Sequence, residues 1–257
     1  MKERGLWLKR NQAVILGCRV DMLATEQCID RIAKYIETGI TAHVITLNAE
    51  IVYQARTNPE LLEIINQAAL VTPDGIGIVW GGRQLGYLIP ERVSGIDLFW
   101  RMCAAAAAKG WKIYLLGSSP GVAEQAAERL QASFPGLDIC GSHHGYFQAA
   151  EEAAIIADVN RRQADILVVS LGAPRQETWI SQHHKDLSVP VCIGVGGSLD
   201  VIAGNKRRAP GWVIKMNLEW LYRLLSEPSR WRRQLALPKF VGLILTSKYK
   251  LEHQRKK

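Results

Sequence analysis

Residues 70–82 read LVTPDGIGIVWGG. One carboxylate, Asp74, stands between an apolar run and a glycine-punctuated one, with Pro73 before it and Gly75 after it. A carboxylate at such a corner can be aimed into a cleft and kept from water, which raises its basicity and suits it to proton abstraction. The same residue can instead cap a helix that begins at Gly75. Other polar and glycine clusters also follow apolar runs: Thr46-Leu-Asn48, Leu116-Gly117-Ser-Ser-Pro-Gly121, Ser170-Leu-Gly172-Ala-Pro174-Arg175-Gln176-Glu177 and Gly194-Val-Gly196-Gly197. Any one of them can serve merely to turn the chain. Glycines there also let backbone N–H groups approach a phosphate or sugar, so Gly117, Gly172 and Gly196 are candidates for holding a nucleotide. Tyr146, in a Gly145-Tyr146-Phe147 loop lip, joins them.

These clusters need elements to position them. AHVITL (42–47), ALVT (69–72), WKIYLLG (111–117), LDICG (137–141), DILVVSLG (165–172) and VCIGVGG (191–197) are short apolar runs that read as buried strands. Helical stretches lie between them: 49–69, broken near Pro59, then 97–109 ending at Gly110, and further on 121–134, 151–163 and 175–184. This alternation predicts an α/β fold, a parallel sheet with helices on both faces. Right-handed crossovers then bring the strand ends, and every cluster above, to one edge. After GNKRRAPGW the strand-like runs stop. Residues 205–257 read as short helices separated by Pro228 and Pro238, an appendage to a core of residues 1–204.

Composition narrows the classes. The chain has 257 residues, 48% of them hydrophobic, and so is long enough to bury a core. No stretch reaches the ~18 apolar residues of a membrane-spanning helix. The opening MKERGLWLKRNQ is charged and no apolar segment follows it, so a secretory signal is not expected. Five scattered cysteines without a CxxC pair read as buried thiols in a reducing cytoplasm. The net charge of +8 is uneven. Residues 205–257 hold 14 Lys and Arg against 3 Asp and Glu, a net +11, and residues 1–204 carry a net −3. A basic tail on an acidic body points to a polyanion: a membrane surface, a nucleic acid or a diphosphate.

Cofactor signatures are missing. Gly75-Ile-Gly77 has Trp80 where a dinucleotide fingerprint needs its third glycine, and Gly194-Val-Gly196-Gly197 falls last in the alternation rather than first. A nicotinamide oxidoreductase is therefore the weaker reading. There is no GxxxxGK[ST], no HExxH and no Asp-x-Asp, which argues for no cofactor and against a diphosphate held through a divalent metal. A nucleic-acid-binding role for the tail finds no recognised motif beside it.

Several segments together resemble the WecG/TagA/CpsF glycosyltransferase family, over roughly residues 14–235. They are TLNAE (46–50), TPDGIGIV (72–79), ERVSGIDL (91–98), YLLGSSPGVAEQAAERL (114–130), FPGLDICGSHHGYF (134–147), DILVVSLGAPRQETWI (165–180), CIGVGGSLDVIAGNKRRAP (192–210) and EWLYRLLSEPSRWRR (219–233). The resemblance implies a Rossmann-like core with a C-terminal appendage. It also implies transfer of an N-acetylmannosamine-type sugar from a UDP donor to undecaprenyl-diphosphate-linked N-acetylglucosamine. Asp74 would be the general base. Thr46 and Asn48 would hold the sugar or orient Asp74, or else cap a strand end. Gln176 would bond a sugar hydroxyl or the diphosphate, or else face solvent in a first helical turn. Arg92 would stabilise the UDP leaving group bidentately, or else pair on the surface with Glu91 or Asp97. Arg223, Arg230 and Arg233, spaced by seven and three, would converge on the site from two short helices, or form a solvated basic face. Trp212, Trp220, Trp231 and the run 240–245 suit an anchor on an anionic membrane at its cytoplasmic face. A uronic acid or another UDP-hexose donor remains open, and a homo-oligomer is compatible with the sequence.

Overall fold

The computed structural model describes residues 11–227 and 231–255. A hairpin comes first, β1 (Gln12–Ile15) and β2 (Cys18–Asp21), turned by Leu16 and Gly17 at φ of 50° and 92°. It does not belong to the main sheet. Buried Asp21 ties it there by accepting from the Val71 N–H at 2.8 Å. The alternation then runs α1 (Thr25–Thr38), β3 (Ala42–Leu47), α2 (Ala49–Ala55), α3 (Pro59–Gln67), β4 (Leu70–Pro73), α4 (Ile76–Gln84), α5 (Gly95–Lys109) and β5 (Lys112–Gly117). It continues with α6 (Val122–Ser133), β6 (Asp138–His143), α7 (Ala149–Arg161), β7 (Ile166–Ser170), α8 (Arg175–His183) and β8 (Val191–Gly194). Local chemistry sets the boundaries. Asn48, Asn58 and Ser94 cap α2, α3 and α5 through their side chains, and Gly39 and Gly110 close α1 and α5 in the left-handed region.

The six main strands form one parallel sheet in the order β4-β3-β8-β7-β5-β6. Successive residues face opposite layers, so both faces must be apolar. Val44, Leu70, Ile113, Ile166 and Ile193 enter a core shared with Ile32, Phe99, Met102 and Leu130. Their neighbours Ile45 and Val71 pack on the other side with Ile51, Leu61 and Ile78, and Leu116, Leu167 and Val169 with Ile155 and Trp179. The chain runs out from β3 to β4, crosses to β5 and β6, and returns through β7 and β8 to fill the middle. Connections therefore diverge above the C-terminal ends of the central strands, which is where such folds form a crevice. The α/β reading with a doubly covered parallel sheet holds.

Past β8 come α9 (Ser198–Ile202), α10 (Gly211–Lys215), α11 (Glu219–Ser226), α12 (Trp231–Gln234) and α13 (Ala236–Arg255). The expected break at Pro238 does not occur. Pro238 falls in the first turn of α13, where no intrahelical N–H bond is lost, and the helix runs on for 20 residues. Phe240 and Ile244 of α13 are buried against α4, where Gly81 leaves room: a Cβ there would meet Phe240 Cζ at 3.0 Å. Among the described residues no helix is long and apolar enough to cross a membrane. The five cysteines are unpaired; four are buried and Cys140 is half-buried.

Candidate active site

The Asp74 backbone N–H donates to the Leu47 carbonyl at 2.8 Å and the Thr72 carbonyl at 3.0 Å, which pins the corner to the ends of β3 and β4. Gly75, at φ 87°, then turns the chain into α4, a conformation that costs glycine little. The alternative role for Asp74, capping that helix, is not what the geometry shows. Gly75 itself is the capping residue of α4 and no side chain bonds there. The Asp74 carboxylate instead accepts from the Gly95 N–H at the start of α5. Burial pushes its carboxyl up to about 6. Arg223 and Arg92 pull the other way, and Glu219 adds to the rise.

Asp74 lines a cleft of about 260 Å³ together with Thr46, Asn48, Arg92, Gln176 and Arg223. Asn48 accepts from the Ile51 N–H at 3.0 Å, so it caps α2. Buried Thr46 donates through Oγ1 to the Gly194 carbonyl at 3.0 Å, tying β3 to β8. Gln176 does not face solvent. It is buried, its Oε1 accepts from the Gly196 N–H at 3.0 Å, and its Nε2 donates to Glu177 Oε1 at 2.8 Å. The glycine loop after β8 is thus shaped by a side chain from α8. Gly194 must be glycine for the same reason, because a Cβ there would run into the Gln176 amide. Glu177 is fully buried, and burial pushes its carboxyl up.

Arg92 is not a surface arginine. Its Nη1 lies 3.0 Å from Glu219 Oε2, on α11, and its Nη2 lies 3.7 Å from Asp97. Arg223 pairs with the same Glu219 at 2.7 Å, and Arg208 pairs with Asp97 at 2.6 Å. Burial opposes ionisation of Asp97, but hydrogen bonds from Ser94 and Arg208 outweigh it and hold the carboxyl below its usual range. Arg230 lies outside the described residues. Arg233 lies in α12, with its side chain outside them.

A second cleft of about 580 Å³ adjoins the first and shares Gly172, Gly196, Gly197 and Lys206 with it. Tyr146, 74% exposed, stands on its rim. Ser118 Oγ donates to Asp200 Oδ2 at 3.0 Å on its floor. Gly172 and Gly196 take positive φ here, 77° and 57°. Gly117 is not among the lining residues. At φ 137°, with the Ser170 carbonyl against it, this glycine lets β5 and β7 approach.

Sequence reasoning missed Glu219, Lys206, Arg207, Arg208 and the Ser118–Asp200 pair. Two signals were there: Glu219 and Arg223 stand at i,i+4, and Lys206-Arg207-Arg208 follow the last glycine loop at once. Among the described residues no group of three or more His, Cys, Asp or Glu could hold a metal ion. Together, a carboxylate whose burial raises it to about 6 and guanidiniums beside it can take a proton from a hydroxyl and receive charge on a phosphate oxygen.

Residues 13–254 match the model of the glycosyl transferase WecG/TagA/CpsF family. The chain is 36% identical over 211 residues to an N-acetylglucosaminyldiphosphoundecaprenol N-acetyl-beta-D-mannosaminyltransferase of Bacillus spizizenii, with 82% of this chain and 81% of the relative covered. A protein of the same name from Bacillus subtilis is 34% identical over 218 residues, covering 84% of each chain. One from Staphylococcus aureus is 34% identical over 240 residues, covering 93% of this chain and 94% of the relative.

Proposed function

The chain belongs to the WecG/TagA/CpsF family of glycosyltransferases, and from that premise we propose that it moves N-acetylmannosamine from UDP-N-acetylmannosamine to undecaprenyl-diphosphate-linked N-acetylglucosamine, with inversion and without a metal. The reaction belongs to teichoic acid or related cell-surface polysaccharide synthesis, at the inner face of the cell membrane. The observation that carries this reading is Asp74 at about 6 in a cleft that Arg92 and Arg223 also line.

The acceptor hydroxyl attacks the anomeric carbon while Asp74 takes its proton. The bond from that carbon to the diphosphate oxygen breaks, and the electron pair leaves with UDP. Attack opposite the leaving group in one step inverts the anomeric centre. Arg92 and Arg223, joined by Arg230 and Arg233, meet the charge that builds on the diphosphate. Thr46, Asn48 and Gln176 line the sugar end and fix its walls. The second cleft takes the nucleoside, with Tyr146 as a stacking face and Gly172 and Gly196 close to the phosphates. The basic tail with its exposed tryptophans docks on anionic lipid, beside an acceptor confined to the bilayer.

UDP release from a panel of UDP-sugars, with a short-lipid acceptor, tests the reading. N-acetylmannosamine should be the sugar transferred, and EDTA should leave the rate unchanged. Asp74→Asn should bind UDP normally and turn over roughly 10²–10⁴-fold more slowly. Wild-type turnover in that variant would remove Asp74 as the base. Preference for a uronic acid donor would move the chain to the same chemistry on another sugar.

A further inference from the structure

Within the proposed transfer, one carboxylate stands where a diphosphate site would not be expected to carry negative charge. Glu219 is 8% exposed and lines the same cleft as Asp74. Arg92 reaches it from the loop before α5 and Arg223 from one turn further along α11. Each guanidinium takes a different oxygen: Arg92 Nη1 is 3.0 Å from Oε2 and Arg223 Nη2 is 2.7 Å from Oε1. A buried carboxylate loses hydration and gains only if its geometry is well satisfied, as it is here. It would also repel an incoming diphosphate. Its placement therefore has to be repaid in the reaction. Two long, flexible side chains, Arg92 and Arg223, from distant segments of the chain, are thus held together on one buried carboxylate in the cleft that Asp74 lines.

We propose that Glu219 is a positioning residue for sugar transfer, holding Arg92 and Arg223 where the leaving diphosphate develops its charge. It acts through the arginines and does not touch the reacting atoms. Preset guanidiniums need no reordering as the bond breaks, so the gain appears in the transition state. Glu219 also balances charge at the base. The charged groups facing Asp74 are Arg92, Glu219 and Arg223. Asp97 and Arg208 pair behind them, and Glu50, Lys206 and Arg207 stand further along the cleft wall. Without Glu219, two cations confront Asp74 with nothing shared between them, and the base weakens.

Glu219→Gln in the full chain tests this by three readings. UDP affinity should rise severalfold, because a competing charge is gone, while kcat at about pH 8 falls about tenfold or more; tighter ground-state binding with slower turnover is the mark of lost transition-state positioning. The acid limb of the rate profile should move down by about one pH unit. Glu219→Asp keeps the charge and shortens the reach, so it should restore the limb while kcat stays low. Unchanged UDP affinity with unchanged kcat overturns the proposal. So does an equal limb shift in both variants, which would trace the shift to lost packing. A wild-type rate flat from about pH 5 to 8 would overturn Asp74 as the base instead, and UDP affinity against kcat would still decide the role of Glu219. If Glu219→Gln fails to fold, Glu219→Asp carries the kcat test alone.

Discussion

Asp74 is held in a state that the unfolded chain does not impose. Burial raises its carboxyl to about 6, despite Arg223 and Arg92, so ionising it costs more in the folded protein than in the unfolded one. A group with a raised folded value supports the fold only below its unfolded value, near 3.8, and that support is lost as pH rises through about 6. Asp74→Asn should therefore melt higher than the wild type at about pH 8, by a few degrees. The gain should shrink as pH falls towards 4 and be gone below it. Thermal melts of both proteins across that range check it. With Asp74 as the proposed base, the rate of the wild type should run the opposite way, rising with pH through about 6 as its carboxyl ionises. On the proposed reading one residue trades stability for function: stability falls between about pH 4 and 6, and the rate rises through about 6.

At the level of elements, glycines at the ends of strands and helices divide into two kinds. Gly117 has φ 137° and a Cβ would strike the Ser170 carbonyl, whereas Gly86 has φ 89° with nothing within 4 Å. Gly86→Ala should cost about 1 kcal/mol, for backbone conformation alone. Gly117→Ala adds overpacking between β5 and β7 and should cost roughly 2–4 kcal/mol in urea unfolding, with weakened UDP binding as the Ser118–Asp200 floor shifts. In the sequence these two glycines look alike. Strands were legible because a parallel strand buried on both faces is a plain apolar run: 42–47 is recovered as Ala42–Leu47, and 111–117 as Lys112–Gly117. The hairpin Gln12–Asp21 and helix Thr25–Thr38 were not read, the hairpin because four-residue strands show too little alternation. Pro238 misled for a local reason, since a proline ends a helix only from its interior. The Asp74 corner was visible as a type of residue in a type of turn. The Arg92–Glu219 pair was not, since only the fold brings residues 127 positions apart into contact.

For the whole molecule, the charge asymmetry has a definite site. The last helix is no loose tail: Phe240 and Ile244 are buried with residues of α2 and α4. Removing residues 205–257 would therefore strip the core as well as the basic surface, and would confuse anchoring with folding. Surface substitutions separate them. Trp212 on α10 is 66% exposed, Met216 just past its end 60%, and Leu225 on α11 73%. Apolar side chains of this size, left in water beside a net charge of +11 over residues 205–257, suit insertion among lipid headgroups. The intact chain should bind anionic vesicles, and binding should weaken with salt, at about 1 kcal/mol for each basic residue near the surface. Replacing Trp212, Met216 and Leu225 together by Ser should lower vesicle affinity about tenfold or more. Transfer to a soluble short-lipid acceptor should stay near wild type, because none of the three lines the cleft, while transfer to a long-lipid acceptor in vesicles should fall with the affinity. Vesicle cosedimentation and the two activity assays give the answer together. Equal losses on both acceptors would mean that this face shapes the site, and undiminished vesicle binding would place the membrane contact elsewhere on the molecule.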